Sequence, residues 1–380
     1  LDSVHAKTLY TGRVVLEDAY VILEGKKLAG VSKTKRGTLR GRFHTITPAF
    51  IDPHSHIGMV RSGEPAEESE GNEKMDSFLA LPDALDSVQM DDTSFRDAIE
   101  QGVLYSCVVP GSGNIIAGLS AVIRHHAPNT TEALIGRAGV KAAFGFNPMS
   151  TGEWKGKRPS TRMGATAILR GKLDEVRQKI EKEKKARGKK KDEIAYNAEE
   201  AVLKNVLLGK TVLRVHVHKI DDVASLLRIV DEHKLHITVE HAADVHDGDV
   251  FRELKRRKIP VVYGPIDSFS YKVELKHENW RNVRLLVESG VEYGFMTDHP
   301  ASPARTLLLQ MRWFTRAGVP KKDAIEVISR KNAELIGVDD VLGTLDHGKR
   351  ASFACWTGDP FDMTAYPVRV YGEGEVLFED

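Results

Sequence analysis

The chain has 380 residues, 41% hydrophobic and 29% charged, a globular composition long enough for one large or two ordinary domains. Lys plus Arg number 55 against 54 Asp plus Glu, so the net charge of +1 gives no electrostatic case for nucleic acid or an anionic membrane as partner. No apolar run approaches the roughly 20 residues of a membrane span, and Cys107 and Cys355 sit in separate apolar runs as buried thiols, which argues against a disulfide framework or a thiolate metal site.

The first residues, Leu1-Asp-Ser-Val-His-Ala-Lys-Thr, lack the basic region and apolar core of a signal peptide, so a cytoplasmic location is expected. Short strands are predicted at 14–16 and 19–23, with a turn at Gly25-Lys26-Lys27. Residues 351–356, 368–371 and 375–378 are also strand-like. The two ends are expected to pair into one small β-sandwich domain, residues 1–45 plus 344–380.

Between them, residues 46–343 alternate short apolar runs with helical stretches. Candidate strands lie at 49–51, 103–109, 119–123, 140–144, 212–217, 237–239, 259–263 and 291–296. Helices are predicted at 221–230, where Asp221 is a candidate N-cap, and at 249–258, 278–288 and 302–316. This is an α/β pattern, and a (β/α)8 TIM-like barrel with insertions accounts for it. A doubly wound sheet competes, but no G-x-G-x-x-G follows a strand. The charge-dense stretch 177–193 reads as a solvated helix and loop between the fourth and fifth strands.

The histidines fall at strand ends. His54 and His56 follow Phe50-Ile51-Asp52-Pro53, and residues two apart in an extended segment point the same way. His216 and His218 end the fifth run, His241 ends the sixth, and Asp298 with His299 follows the eighth. In a barrel those ends share one rim, where active sites form. Buried imidazoles and carboxylates need partners, and an N/O set of this kind suits a divalent metal. Zinc is the first expectation, with iron, nickel or manganese as alternatives. His125, His126, His233, His236, His246 and His277 have no convergent partners in the pattern and read as structural. The acidic stretch Glu64-Pro-Ala-Glu-Glu-Ser-Glu reads as a solvated loop over the mouth.

Thr47-Pro-Ala-Phe-Ile-Asp-Pro-His-Ser-His resembles the first-strand signature of the amidohydrolase superfamily. Gly343-Thr-Leu-Asp-His-Gly-Lys resembles its return from barrel to sandwich, so the likeness covers nearly the whole chain. The resemblance implies metal ligands at His54, His56, His216, His241 and Asp298. It also implies one or two ions, with Lys141 as a candidate carboxylated bridge in the binuclear case. Pro110-Gly-Ser-Gly-Asn-Ile-Ile and Thr297-Asp-His-Pro are most similar to the imidazolonepropionase-related members. Two departures stand out. Gly145-Phe-Asn-Pro replaces the Gly-Glu-Asn-Pro of those relatives, and Lys219 occupies the position, three after His216, where imidazolonepropionases carry an acid.

The expected function is a hydrolase that cleaves a C–N bond of a small molecule, an amide or cyclic amide, with metal-activated water. Asp298 is the expected general base turned acid, and His241 the second catalytic residue, polarising the substrate. His218 and His299 are candidate substrate contacts. Arg162, after a Gly-rich loop, is a candidate carboxylate clamp. An Xaa-Pro-type dipeptidase is the nearest alternative. A phosphotriesterase or lactonase shares the ligand pattern, and a catalytically silent scaffold is the reading from another class. A homo-oligomer is expected from the resemblance alone.

Overall fold

The computed structural model describes residues 1–149, 158–186, 194–266, 268 and 272–380. Among them the strands form two sheets. The first joins the two termini: β1 (Asp2–Tyr10), β2 (Val15–Glu24), β3 (Lys27–Ser32) and β4 (Thr38–Pro48) pair with β13 (Phe353–Trp356), β14 (Pro367–Gly372) and β15 (Glu375–Glu379). Their order is β15-β14-β13-β4-β1-β2-β3. These strands from both termini hydrogen-bond as one continuous seven-stranded sheet. Alternation along β13 explains how the sheet attaches. Phe353 and Cys355 pack with Val4, Leu9 and Ile46, while Ala354 and Trp356 belong to the large barrel core. β1 is not predicted from the sequence, because its inward residues include the small Ala6 and its polar residues break the apolar run.

The second sheet runs β12-β11-β10-β9-β8-β7-β6-β5. Its strands are β5 (Phe50–Ser55), β6 (Val103–Val108), β7 (Ile116–Arg124), β8 (Leu134–Ala143), β9 (Leu213–Val217), β10 (Ile237–His241), β11 (Val261–Tyr263) and β12 (Tyr293–Phe295). All eight predicted runs are present. The regular (β/α)8 expectation needs correction at the third strand, because β7 is antiparallel to both β6 and β8. The connections explain this: only residues 109–115 and 125–133 separate these strands, and a parallel crossover needs a dozen or more. The other neighbours pair in parallel, so β5, β6 and β8–β12 still end on one rim.

β5 and β12 close the barrel through side chains and loop backbone. Asn332, at the start of α7 (Asn332–Leu335), donates to the Ile51 and Phe295 carbonyls at 2.7 and 2.9 Å and accepts from Phe295 N at 3.1 Å. Higher on the seam, Asp52 accepts from the backbone N–H and the hydroxyl of Thr297. At the rim, Asp298 N donates to His54 O and His56 N to His299 O. Gly294 is required here, since a Cβ would stand 2.2 Å from Asn332 Oδ1.

The covering helices are amphipathic. Among them are α1 (Thr93–Glu100), α2 (Arg162–Lys185), α3 (Ala198–Leu207), α4 (Ile220–His233), α5 (Gly248–Arg256) and α6 (Asn282–Ser289). α2 starts at Thr161, whose side chain accepts from Gly164 N, and buries Ala165, Leu169, Leu173, Val176 and Ile180 along one stripe. Its last turns are the first part of the charged stretch 177–193; residues 187–193 of that stretch lie outside the described residues. The predicted helix at 278–288 begins only at Asn282, and that at 302–316 divides into Ala304–Thr306, Leu307–Gln310 and Arg312–Arg316. No described helix is long and apolar enough to cross a membrane.

Candidate metal centre and active site

The rim assembles the predicted ligands from four strand ends. His54 lies in β5, with His56 just beyond it. His216 lies in β9, followed by His218; His241 is the last residue of β10, and Asp298 follows β12. His241, Ala242 and Asp298 have left-handed backbone, with φ of 75°, 54° and 52°. Such conformations cost energy for non-glycine residues and cluster at functional sites; here they turn the chain sharply at the two strand ends that carry ligands.

Two groups of three form. His54, His56 and Asp298 make one; His216, His218 and His241 make the other, and within each the ligand atoms lie within 4.8 Å of one another. Asp298 Oδ1 is 3.4 Å from His54 Nε2 and 3.2 Å from His56 Nε2. The His54 and His241 ring centroids are 5.0 Å apart, so the groups adjoin.

His54, His56, His216 and His241 each have one nitrogen fixed, and in His54, His216 and His241 the other is left bare. His54 Nδ1 bonds the Glu240 carboxylate, His56 Nδ1 bonds the Val109 carbonyl at 2.8 Å, and His241 Nδ1 bonds the Gly264 carbonyl at 3.0 Å. His216 Nε2 sits 3.2 Å from Glu274 Oε1 and from Asn147 Nδ2. Among the described residues, the buried His54 Nε2, His216 Nδ1, His218 Nδ1 and His241 Nε2 have no hydrogen-bond partner. Leaving four such atoms buried and unsatisfied is costly, and a divalent cation accepts their lone pairs, so the residues fit a metal. Burial lowers His54 and His218 to about 4 and puts His216 and His241 well below the usual histidine value, which keeps the lone pairs free. Burial acts to raise the Asp298 carboxyl, but His241, His56 and His54 outweigh it and hold Asp298 well below the carboxylate range.

Supporting residues complete the interior. Glu240 is fully buried, bonds Thr238 Oγ1, and lies 2.9 Å from Arg214, whose Nη2 also donates to Pro53 O at 2.6 Å. Burial opposes ionisation of Glu240, yet Arg214 and His54 bring it down to about 2. Glu274 is likewise buried, accepts from Phe146 N at 3.1 Å and pairs with Lys272 at 2.7 Å. A cavity of about 320 Å³ opens beside the centre, lined by His56, His216, Asp298, Lys272, Asn147 and Ser112 among others.

The remaining predicted residues are distributed as follows. Lys141 in β8 is buried and donates to Pro110 O and Ser112 Oγ, each at 3.0 Å, and burial lowers it to about 8. His218 stands with His216 and His241 as a ligand candidate. His299 is buried, its Nδ1 accepting from Ala304 N at 3.2 Å, outside both groups. Arg162 is not brought to the histidine cavity: its guanidinium grips Asp222 of α4 bidentately, at 2.6 and 3.1 Å. Of the histidines expected to be structural, His125 bonds Ser106 Oγ and Val103 O. His246 and His277 converge on Asp244, partners that the sequence pattern does not show. In the acidic stretch, Arg61 pairs with Glu64 and Glu70 at 2.6 and 2.9 Å.

Glu240, Arg214, Glu274, Lys272 and Asn147 are not singled out by sequence reasoning. A carboxylate beside His241 and an arginine inside Val212-Leu-Arg-Val were visible signals, since charge in a fully buried strand needs a partner. Lys272 lies beside, and Glu274 and Asn147 lie within, short 3-10 turns between the barrel strands and carry no such mark.

Comparison with known proteins gives the family. The Amidohydrolase family pattern matches residues 45–376. The curated protein "Amidohydrolase tasK" of Hapsidospora irregularis is 23% identical across 88% of this chain, which spans only 36% of that relative's length. An amidohydrolase from Thermotoga maritima MSB8 superposes with a TM-score of 0.92 at 29% identity, covering 100% of both chains. Atrazine chlorohydrolase TrzN from Arthrobacter aurescens TC1, solved with zinc, gives 0.55 at 16% identity over 100% of this chain and 95% of that one, a likeness of fold alone. This chain therefore belongs to the amidohydrolase family, in which metal-dependent hydrolysis is general.

Proposed function

We propose that the protein is a divalent-metal-dependent hydrolase that cleaves an amide or cyclic amide C–N bond of a small molecule. The observation that carries this reading is the set of four buried, unpartnered imidazole nitrogens beside an ionised Asp298 on one rim. His54, His56 and Asp298 would hold one cation and His216, His218 and His241 a second, and the N/O donor set suits zinc. When bound, such a cation supplies Lewis acidity and brings the pKa of water from 15.7 to about 7.

The chain's own residues do the rest. Asp298 takes a proton from the attacking water and returns it to the departing nitrogen. His241 donates through Nδ1 to Gly264, so its Nε2 carries no proton; this suits a ligand better than the substrate-polarising role expected from sequence. The Glu240–Arg214 pair holds His54 in the tautomer that leaves Nε2 bare. Lys141, lowered to about 8, reaches the neutral amine needed to become a carboxylated bridge more readily than an exposed lysine does.

A second reading, a dipeptidase of the Xaa-Pro type, draws on Lys272, a cavity-wall cation that a substrate carboxylate would have to share with Glu274, 2.7 Å away. Ring opening of the imidazolonepropionase type is less favoured, since the position after His216 that carries an acid there is Lys219, which lies 3.3 Å from Asp244. The zinc-reconstituted protein should be assayed on simple amides, cyclic amides, Xaa-Pro dipeptides, lactones and phosphotriesters. Turnover of an amide or cyclic amide that is lost in Asp298→Asn supports the proposal. Turnover confined to lactones or phosphotriesters contradicts it, and preference for dipeptides selects the second reading.

A further inference from the structure

A third convergent group lies outside the active-site machinery. Asp244 is buried, three residues beyond the end of β10, and His246 follows it by two. His277 comes from the loop after β11, just past the short turn Val273–Leu275. One ligand atom from each lies within 4.8 Å of the others, and none belongs to the two groups described above. The backbone N–H of His277 donates to Asp244 Oδ1, and its Nδ1 is 3.3 Å from Asp244 Oδ2. His246 Nδ1 is 2.8 Å from the carbonyl of Asp244, so it carries the proton and leaves Nε2 as an unprotonated donor on an exposed ring. The two imidazole rings stand side by side, 4.1 Å between centroids and 36° between planes.

We propose that Asp244, His246 and His277 form a separate site for one first-row transition cation such as Zn²⁺. Two imidazoles and one carboxylate are the donors of many zinc sites with positions open to water, and the exposure of both rings leaves room for those waters. The buried carboxylate supplies the negative charge. Lys219, 3.3 Å from Asp244 Oδ2, shares that carboxylate and competes with the cation, so the site is weaker than the buried histidine centre. The three ligands come from two segments more than 30 residues apart in sequence, so an ion there ties the loop after β10 to the loop after β11. That second loop also carries Lys272 and Glu274, which makes the site a clamp on one wall of the catalytic cavity.

The test uses the full chain, stripped of metal with a chelator and dialysed to equilibrium against low-micromolar Zn²⁺. Metal per chain is counted for the wild type, for His246→Ala/His277→Ala, and for His54→Ala/His56→Ala. Because both altered rings of the first variant are exposed, it should fold, which circular dichroism checks. Asp244→Asn keeps the shape of the buried side chain and serves as the second probe. The proposal expects the His246/His277 variant to hold one equivalent fewer than wild type. It also expects zinc to raise its melting temperature less. The His54/His56 variant should retain the ion at Asp244, His246 and His277 and lose the one at its own group, which separates this site from the catalytic proposal. Equal zinc content and equal thermal shift in wild type and the His246/His277 variant would overturn it, leaving a hydrogen-bonded cluster only.

Discussion

Glu240 shows how much one buried residue organises. It orients His54 and neutralises Arg214, and both partners are fully buried. Glu240→Gln should therefore act twice. Losing a carboxylate behind a ligand histidine typically lowers metal affinity about 10- to 100-fold, measurable by zinc titration. Leaving Arg214 without its counter-charge should cost about 3–5 kcal/mol, measurable by urea unfolding of the metal-free protein. A variant with weakened metal binding and unchanged stability would show that Arg214 finds other compensation. Lys141 offers a second test at this scale. If it is carboxylated, ¹³C-bicarbonate should give a carbamate carbon resonance in the zinc-loaded wild type that is absent from Lys141→Arg; no resonance in either would restrict Lys141 to its bonds with Pro110 and Ser112. The convergence of the candidate ligands was legible in the sequence because histidines stand at the ends of apolar runs. Arg162 was misjudged because its partner, Asp222, is 60 residues away in sequence and nothing local marks the pair.

The strands carry the site because seven of the eight barrel strands end on the same rim despite the reversed β7. The eight apolar runs made the barrel readable, whereas the reversal was encoded only in the two short connections beside β7. β1 escaped because small and polar residues interrupt its buried positions. The closing seam was also invisible, since it depends on one amide side chain reaching two strands. Asn332→Ala removes the partner of Ile51 O, Phe295 O and Phe295 N together. At about 1–3 kcal/mol per unsatisfied buried group, a loss of about 3 kcal/mol or more is expected in urea unfolding. A loss below about 1 kcal/mol would mean that the seam is held mainly by Asp52, Thr297 and the rim bonds.

Over the whole molecule, buried neutral histidines make stability depend on pH. Burial, with His126 adding to it, lowers His125 to about 3, far below its unfolded value near 6.5. Between those values the unfolded chain binds a proton that the folded one does not, so stability rises with pH through that window and is lost as pH falls. From pH 7 to pH 5 this one group should cost about 2 kcal/mol. His125→Gln should flatten the pH dependence of the urea midpoint by that amount; an unchanged slope would place the effect in other groups. The proposed metal centre draws its residues from the ends of β5, β9, β10 and β12. Its most direct test is metal content per chain by elemental analysis, on wild type, His54→Ala and His241→Ala, all carrying His246→Ala/His277→Ala to remove the separate Asp244 cluster. The account predicts two equivalents in the parent and a loss in each variant, with hydrolytic activity falling alongside. Metal content that stays at the parent value in both variants, or no metal after reconstitution, would contradict it.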